Sequence, residues 1–474
     1  MFFEHIYEKG LAQASYLLGC QATGEAVVID PRRDIDVYLE VAEKNKLRIT
    51  HITETHIHAD FLSGARELAA ATGARLYLSD EGGTDWSYGF AHEGLRGGDH
   101  FMVGNLRIDV LHTPGHTPEH ISFLLTDTPA GDAPVMIFTG DFVFVGDVGR
   151  PDLLEKAAGI KGTREKGARD MFSSLRRFRA LPDHVQVWPG HGAGSACGKS
   201  LGAVPSSTVG YEKLTNWALR MEDEESFVRE LLAGQPEPPR YFAMMKKLNK
   251  IGPKVLGGLP HPARLTMAQF EEAVSRGVTV VDTRDKLSFA GGHFPESLNI
   301  QDNNAFSTWA GWMLDYEHPF LLVASESRIA ELTRALIRIG LDQVTGYVCD
   351  MDRIGDAGHS MRVLEQITVE ELRANRDRYH VLDIRGESEF AAEHIPGAVN
   401  IHAGYLRDQR ERIPTDRTVV VHCVSGDRSS IASSLLLSMG FRNIRNLTCG
   451  FNGWKQAGFP VAQGLPDPEN ALAA

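Results

Sequence analysis

Thr55-His56-Ile57-His58-Ala59-Asp60-Phe61 is a cluster of metal-ligand side chains that follows an apolar run typical of a β-strand, residues 48–53. Two imidazoles and a carboxylate at alternate positions can converge on one cation. A histidine at the last position would help to hold a second cation, but that position is Phe61. Because a phenyl ring cannot ligate metal, the segment predicts one metal ion and favours chemistry other than two-metal hydrolysis.

Similar apolar runs alternate with helical stretches through the first half of the chain, and three of them end directly in a polar cluster. An α/β sheet presents its functional residues in this way, at strand ends where loops are free to specialise. The predicted strands are residues 25–30, 48–53, 75–78, 105–111, 135–138 and 185–188. The fold class predicted from these runs is α/β.

Length and composition limit the possible classes of protein. A chain of 474 residues predicts about three domains, and 42% hydrophobic with 23% charged residues is typical of globular proteins. No apolar run is long enough to span a membrane, and the N-terminus does not resemble a signal peptide. We therefore expect a cytoplasmic location and no membrane partner.

The charge and the cysteines exclude two further classes. A net charge of -13 argues against nucleic acid as a partner. The five cysteines form no C-x-x-C pair, so a disulfide framework is not expected and each thiol is considered separately.

A glycine- and proline-rich region predicts the end of the first domain. It includes residues 234–239 and 252–262, so we assign residues 1–240 to an N-terminal domain and 241–262 to a linker. Beyond it lies an internal repeat: Asp282-Thr283-Arg284, His293 and Asn299 have counterparts 101 residues later in Asp383-Ile384-Arg385, His394 and Asn400. The repeat predicts two sibling α/β domains, at 263–360 and 365–474.

Candidate metal ligands follow several of the strand-like runs, most of them beside glycine. Any single histidine among them has the alternative of a hydrogen-bonded structural role, but the shared context of the whole set favours a metal site. The candidates are His56, His58, Asp60, His116, Asp141 and His191.

Residues 1–240 resemble the metallo-β-lactamase superfamily, which implies an αββα sandwich. The segments around 55–60, 113–117, 139–150 and 194–199 are most similar to persulfide dioxygenases. That resemblance implies one Fe(II) per chain, held by His56, His116 and Asp141. It also implies that His58 and Asp60 lie beside the ligands and that His191 lines the substrate pocket.

Two imidazoles and one carboxylate leave about three open positions, enough for a substrate and O2 side by side. The expected reaction oxidises the persulfide of a small thiol, such as glutathione or coenzyme A, to sulfite and free thiol. Arg150 is predicted to bind a carboxylate of the thiol carrier, with a loop-stabilising arginine as the alternative.

Cys197 and Lys199 follow His191 closely. A thiol near a metal pocket and a cation is predicted to ionise and accept sulfur, so we place Cys197 with the catalytic candidates and Lys199 with the substrate-binding ones. The alternative for Cys197 is a small buried packing residue.

A second thiol, Cys423, lies between an apolar run at 418–421 and a predicted helix at 430–437. Backbone N–H groups and the helix N-terminus at such a loop stabilise anionic sulfur. Arg428 would tie the loop or bind the incoming anion. Residues 365–465 resemble a rhodanese sulfurtransferase, which implies a persulfide on Cys423. The Cys-x4-Arg spacing favours sulfur over phosphate, because related phosphatases use Cys-x5-Arg.

The first copy of the repeat has no cysteine at the matching loop, residues 324–328. Cys349 aligns with Cys449 instead, as a shared structural position. We predict an inactive rhodanese-like domain that packs, orients or oligomerises, and we expect a homo-oligomer.

The predicted function is Fe(II)-dependent persulfide oxidation in sulfide detoxification, coupled to rhodanese transfer that forms or uses thiosulfate. The alternatives are a zinc thioester hydrolase of the glyoxalase II type, fused to a sulfurtransferase, and a non-catalytic sulfur carrier or sensor.

Overall fold

The computed structural model describes residues 1–153, 155, 162–199, 201–349 and 360–465. The chain divides into two compact units. Unit 1 comprises Met1–Pro260 with Arg334–Leu341, and unit 2 comprises His261–Thr333 with Asp342–Ala474. The ends of both predicted C-terminal domains, 350–359 and 466–474, lie outside the described residues.

Unit 1 contains two six-stranded sheets, each with its strands in chain order. The first sheet is formed by β1 (Phe2–Glu8), β2 (Gln13–Cys20), β3 (Glu25–Ile29), β4 (Arg48–Thr53), β5 (Arg75–Ser79) and β6 (Glu93–Leu95). The second is formed by β7 (His100–Val103), β8 (Leu106–His112), β9 (Ile121–Asp127), β10 (Met136–Gly140), β11 (Gln186–Pro189) and β12 (Ser207–Thr208). Each of the six strands predicted in the first half of the chain is present.

Helices cover the outer face of each sheet in unit 1. They are α1 (Asp36–Lys44), α2 (Ala65–Thr72), α3 (Thr163–Phe178), α4 (Val209–Thr215), α5 (Trp217–Arg220), α6 (Glu224–Leu232) and α7 (Tyr241–Ile251). One core lies between the sheets and contains Tyr16, Phe123 and Phe138. Two further cores pack helices on the sheets, around Tyr38 and Leu68 and around Met171 and Phe227. The predicted αββα sandwich is confirmed.

The first half of the region predicted as a linker is helical. Residues 241–251 form α7, and its buried Asn249 holds the ligand segment in place. Asn249 Nδ2 donates to the carbonyls of His58 and Phe61, each at 2.8 Å, and its Oδ1 accepts from the Ser63 N–H at 2.9 Å. Proline and glycine at 252–262 follow the helix, and the first segment of unit 1 runs to Pro260.

Unit 2 contains two parallel sheets with related strand orders. The first copy orders its strands β14-β13-β15-β16, with β13 (Thr279–Asp282), β14 (Leu298–Asn299), β15 (Phe320–Val323) and β16 (Val344–Val348). The second copy orders them β17-β21-β20-β18-β19, with β17 (Glu365–Ile367), β18 (Tyr379–Asp383), β19 (Val399–Asn400), β20 (Thr418–His422) and β21 (Ile444–Leu447). The second copy has one additional edge strand, β17.

Helices connect the strands of both copies. They are α8 (Met267–Ser275), α9 (Lys286–Gly291), α10 (Phe306–Met313), α11 (Ile329–Ile337), α12 (Val369–Ala374), α13 (Glu387–Ala392), α14 (Asp427–Ser438) and α15 (Gly450–Gln456). Helix α8 begins with a capping box between Thr266 and Gln269, and α9 is capped by the side chain of Asp285. Among the described residues, we find no helix with the length and apolarity that crossing a membrane requires.

Candidate metal centre and thiol loop

Three ligand-type side chains from three separate loops meet in unit 1. His56 follows β4, His116 lies between β8 and β9, and Asp141 directly follows β10. Their ligand atoms all lie within 4.8 Å of one another, and all three side chains are buried. His116 Nε2 is 3.6 Å from Asp141 Oδ2. The fold therefore assembles two imidazoles and one carboxylate from positions far apart in the chain.

Hydrogen bonds fix both imidazoles through Nδ1. His116 Nδ1 lies 2.8 Å from the carbonyl oxygen of Arg150, and His56 Nδ1 lies 3.0 Å from Thr55 Oγ1. A carbonyl can only accept, so the His116 proton is on Nδ1 and its Nε2 keeps a lone pair. Burial is the main cause that lowers the pKa of both His56 and His116, and neutral imidazole is the form that binds metal.

Several buried atoms of this cluster have no hydrogen-bond partner. Within the described residues, His56 Nε2 and both carboxylate oxygens of Asp141 make no hydrogen bond. Leaving such groups unpaired is costly, and a bound cation would satisfy them together. The donor set of two neutral nitrogens and a carboxylate fits Fe(II) as well as Zn²⁺.

His58 lies beside this cluster and is held by Asp30. Its Nε2 is 3.0 Å from Asp30 Oδ1. Burial disfavours the charged imidazole, but the adjacent Asp30 carboxylate outweighs burial and raises the pKa of His58 to about 9. Asp30 also accepts from the backbone N–H and hydroxyl of Thr55, at 2.7 and 2.9 Å. Phe61 packs on His58, with ring centroids 4.3 Å apart.

A second group of possible ligands lies next to the first. Asp60, His191 and Cys197 are buried, and their ligand atoms lie within 4.8 Å of one another. His191 Nε2 is 3.2 Å from Asp60 Oδ2 and 3.4 Å from Asp141 Oδ1, so it lies between the two clusters. Phe61 cannot ligate a second metal, but Cys197 supplies a third donor next to Asp60 and His191. Phe61 is therefore weaker evidence against a second metal than the sequence alone indicates.

The surroundings of Cys197 disfavour the ionised thiol, and Lys199 binds other groups. Burial, with the nearby Asp141 carboxylate, raises the pKa of the Cys197 thiol to about 12. The Lys199 ammonium instead binds the Glu230 carbonyl and lies 5.9 Å from the Trp217 ring centroid. The prediction of an ionised Cys197 is corrected, because burial and Asp141 favour the neutral thiol and the Lys199 ammonium binds other groups.

Arg150 is a loop-stabilising residue in the structure. It is fully buried, and its guanidinium makes two hydrogen bonds of 2.7 Å to Asp152. Its Nη1 donates to the carbonyls of Ala196 and Pro236, at 3.1 and 2.8 Å. The predicted contact with a substrate carboxylate is corrected, since all three guanidinium nitrogens already donate to the protein. Arg150 instead holds the loop before Cys197.

Cys423 directly follows β20 and lies in a loop that ends at α14. The side chain is 1% exposed, and the Gly426 N–H donates to Sγ at 3.1 Å. The Phe451 N–H donates to the Cys423 carbonyl at 2.8 Å. A Cβ on Gly450, whose φ is +55°, would lie 2.6 Å from that carbonyl oxygen, so only glycine allows this approach. The loop is thus built tightly around the thiol.

Arg428 ties the end of this loop to α13. Its Nη1 and Nη2 donate to the two carboxylate oxygens of Glu389, at 2.7 and 2.8 Å. Of the two roles predicted for Arg428, the structure therefore favours tying the loop over direct binding of the incoming anion.

Comparison with known proteins identifies the family. The profile of the metallo-beta-lactamase superfamily matches residues 9–191. A crystal structure described as a metallo-beta-lactamase, from Staphylococcus aureus subsp. aureus COL, is 45% identical, with a TM-score of 0.69, and the match covers 74% of this chain and 99% of that one. The chain belongs to the metallo-beta-lactamase superfamily. Since 74% of the chain exceeds unit 1, the match to this superfamily member extends into unit 2.

Two further proteins are similar to part of this chain. A hydroxyacylglutathione hydrolase of Rhodospirillum rubrum is 35% identical over 185 residues, which are 37% of this chain and 60% of that protein. The chain thus spans less than two thirds of that relative. The structure of ETHE1 from Myxococcus xanthus is 28% identical and covers 53% of this chain and 98% of that one, with a TM-score of 0.44.

The C-terminal half of unit 2 matches a second family. The profile of the rhodanese-like domain matches residues 368–457, which include Cys423. The chain is therefore a metallo-beta-lactamase superfamily member followed by a rhodanese-like domain, as predicted from the sequence.

Three residues that fix the metal centre were not predicted. Asp30 directly ends the apolar run of β3, the same signal that identified the other candidates. His120 Nδ1 lies 2.8 Å from Thr113 Oγ1, and its Nε2 accepts the Asp141 N–H at 3.2 Å; it lies four residues after His116. Asn249 has no sequence signal, because it acts through backbone carbonyls of a distant segment.

Proposed function

We propose that unit 1 is an Fe(II)-dependent dioxygenase that acts on the persulfide of a small thiol such as glutathione. One persulfide, one O2 and one water give the thiol, sulfite and two protons. The observation that carries the proposal is the triad of His56, His116 and Asp141, whose free nitrogens and carboxylate oxygens converge in a buried site. Iron at this triad would supply the capacity to activate O2.

The residues around the triad support this chemistry. The Arg150 carbonyl holds His116 in the tautomer that leaves Nε2 free. Nε2 of His58 is paired with Asp30 and is therefore not available to the metal. Phe61 is 1% exposed and adds an apolar surface that excludes water from this side of the site.

We also propose that Cys423 carries sulfur as a persulfide. The Cys423 thiolate attacks the outer sulfur of thiosulfate, a new S–S bond forms, and sulfite leaves with the electron pair of the broken S–S bond. The reverse step joins sulfite to the Cys423 persulfide sulfur and gives thiosulfate. The N–H of Gly426, 3.1 Å from Sγ, stabilises anionic sulfur in both directions.

The test is oxygen uptake by the full-length protein with glutathione persulfide, with sulfite and thiosulfate quantified and the metal content measured. We expect about one iron per chain, and we expect His116→Ala to lose both iron and oxygen uptake. Tyr211→Ala, an exposed residue on α4, is the matched control and keeps both. Oxygen uptake that persists in His116→Ala with full iron loading would refute the proposal.

A second candidate function has its own supporting observation. The group formed by Asp60, His191 and Cys197 could hold a second metal, as a two-metal zinc hydrolase of glutathione thioesters requires. The match to the Rhodospirillum rubrum hydroxyacylglutathione hydrolase favours the same reading. About two zinc ions per chain, thioester hydrolysis and no oxygen uptake would establish this function in place of the dioxygenase.

A further inference from the structure

The first copy of the repeat, whose loop after β15 has no cysteine, places a cation on the Cys423 loop of the second copy. Lys286 is the first residue of α9, and its Nζ donates to the Ser425 carbonyl at 2.7 Å. The same Nζ is 2.9 Å from Asp427 Oδ1. Ser425 lies in the Cys423 loop and Asp427 is the first residue of α14, where that loop ends, so the first copy contacts the loop directly.

Further hydrogen bonds make this contact specific. Gln301, also in the first copy, accepts the Lys286 N–H at 3.1 Å and donates to the Asp427 carbonyl at 3.3 Å. Ser425 Oγ donates to the second carboxylate oxygen of Asp427 at 2.8 Å. These residues surround Gly426, whose N–H reaches the Cys423 sulfur.

The cation is particular to the first copy. The residue 101 positions later in the repeat is Glu387, an acid, although the preceding Asp-x-Arg segment is the same in both copies. Lys286 is therefore not a position that the rhodanese-like fold itself requires. The contact with the Cys423 loop explains why a cation is present at this position.

Asp427 is the charge that Lys286 compensates. Partial burial favours the neutral acid, but the hydrogen bonds from Lys286 and Ser425 and the charge of Lys286 together hold the pKa of Asp427 below its ordinary value. The carboxylate is thus ionised at neutral pH. Without the ammonium, a negative charge four residues from Cys423 in the chain would repel an approaching anion.

We propose that Lys286 is a positioning residue for sulfur transfer at Cys423. Lys286 holds the Ser425 to Asp427 side of the loop and neutralises Asp427, so that sulfur-bearing dianions such as thiosulfate reach the thiol. The proposal rests on the sulfur-transfer function given above. The transfer step is unchanged: Cys423 takes the outer sulfur and sulfite leaves. The first copy thereby has a role in catalysis without a nucleophile of its own.

The test compares a dianionic and a neutral reagent at Cys423 in the full-length protein. Persulfide formation with thiosulfate and alkylation by iodoacetamide are each followed by mass spectrometry of the Cys423 peptide. We expect Lys286→Met to slow the thiosulfate reaction about tenfold and the iodoacetamide reaction less than about twofold, because only thiosulfate is repelled by Asp427. Lys286→Arg retains the charge and should restore most of the rate.

Two further variants separate charge from folding. Asp427→Asn in the Lys286→Met background removes the uncompensated carboxylate and should restore the thiosulfate rate to within about threefold of wild type. Arg276→Met removes a cation from the same copy, where Arg276 pairs with exposed Glu272, and should leave both rates unchanged.

The outcomes distinguish this proposal from the function on which it rests. The role of Lys286 is overturned if Lys286→Met leaves the thiosulfate rate unchanged. It is also overturned if Lys286→Met slows the thiosulfate and iodoacetamide reactions equally and Asp427→Asn does not restore the rates. If wild type is alkylated at Cys423 but takes no sulfur from thiosulfate, the proposed sulfur-transfer function is refuted, and the proposed role of Lys286 is refuted as well.

Discussion

The two copies in unit 2 share an internal framework and differ at one loop. In the first copy, Arg284 binds the Asp282 carboxylate and the Gly292 carbonyl. In the second, Arg385 binds the Asp383 carboxylate and the Glu393 carbonyl with nearly the same distances. The repeated residues therefore maintain the fold and carry no information on activity.

The loops after β15 and β20 show what separates an active from an inactive copy. Strand pairing places Val323 opposite Asp282 and His422 opposite Asp383, so Ala324 corresponds to Cys423. From that position to the arginine, the first loop is one residue shorter and contains no glycine. Arg328 binds Asp302, at 2.7 and 3.0 Å, whereas Arg428 binds Glu389. The loop without a cysteine thus differs from the Cys423 loop in length, composition and arginine partner.

Removing the thiol is the strongest way to test this contrast. We expect Cys423→Ser to reduce sulfur transfer from thiosulfate by about three orders of magnitude or more, because serine forms no persulfide. With glutathione persulfide and O2, sulfite should accumulate and thiosulfate should fall, while oxygen uptake persists. Cys449→Ser, an exposed cysteine of the same copy, is the control. An unchanged yield of thiosulfate would disprove the coupling of the two activities.

Releasing Arg428 should have the next largest effect. Glu389→Gln removes one of two charge-assisted hydrogen bonds that tie the loop to α13, and we expect transfer to slow about tenfold. Glu393→Gln, which removes the partner of Lys455, should have little effect because that pair is more exposed. Equal rates for the two variants would show that the Arg428 pair does not order the loop.

The same pair has a defined pH dependence. Burial raises the pKa of Glu389, but Arg428 outweighs it and the net pKa lies below the ordinary 4.5. A lowered carboxyl pKa gives stability that is fully present above 4.5 and is lost as the pH falls through the lowered value. The difference in unfolding free energy between wild type and Glu389→Gln should therefore shrink only in acid. A difference that is already absent at neutral pH contradicts this.

The asparagines that both copies share should differ moderately in their effect on stability. Asn400 donates to the carbonyls of Asp383 and Arg385. Asn299 makes the equivalent bonds and also accepts from Ser430 Oγ at 2.7 Å. We expect Asn400→Ala to cost about 2 kcal/mol of unfolding free energy and Asn299→Ala about 3 kcal/mol, as measured by denaturant unfolding. A smaller cost for Asn299→Ala would mean that the bond to Ser430 contributes nothing.

Restoring the thiol to the first copy should have no effect on activity. In Ala324→Cys, the new cysteine lies on a shorter loop without the glycine that presents an N–H to Cys423 Sγ. We expect no sulfur transfer in Ala324→Cys combined with Cys423→Ser, measured by persulfide formation with thiosulfate. Activity in this double variant would show that the thiol alone distinguishes the copies.

Much of the framework was predictable from patterns that are local in sequence. The six strands of the first half follow from short apolar runs, and the sandwich follows from motifs that resemble a known superfamily. The repeat predicted the sibling sheets, because each repeated Asp-x-Arg and Asn makes hydrogen bonds within its own copy. Helix α7 was missed since prolines on both sides resemble a linker.

The residues of the candidate site were predictable from the sequence, but several of their contacts were not. His56, His116 and Asp141 were identified as a set, and the structure brings them together. Arg150 and Lys199 were predicted to bind substrate from their charge, and Cys197 was predicted to be catalytic from its reactivity. Their actual partners, Asp152, the Glu230 carbonyl and a buried cluster with Asp60, are chosen by packing, which single residue types do not indicate.

The sequence by itself determined the fold class, the repeat, the ligand residue types and the one loop with a thiol, because each depends on a short pattern. Only the tertiary structure decided that Cys197 joins Asp60 and His191 as a second donor group, that Arg428 is paired with Glu389, and that Lys286 of one copy lies on the loop of the other. These arrangements join residues separated by up to about 140 positions, and such contacts are set by how the elements pack, which local sequence patterns do not encode.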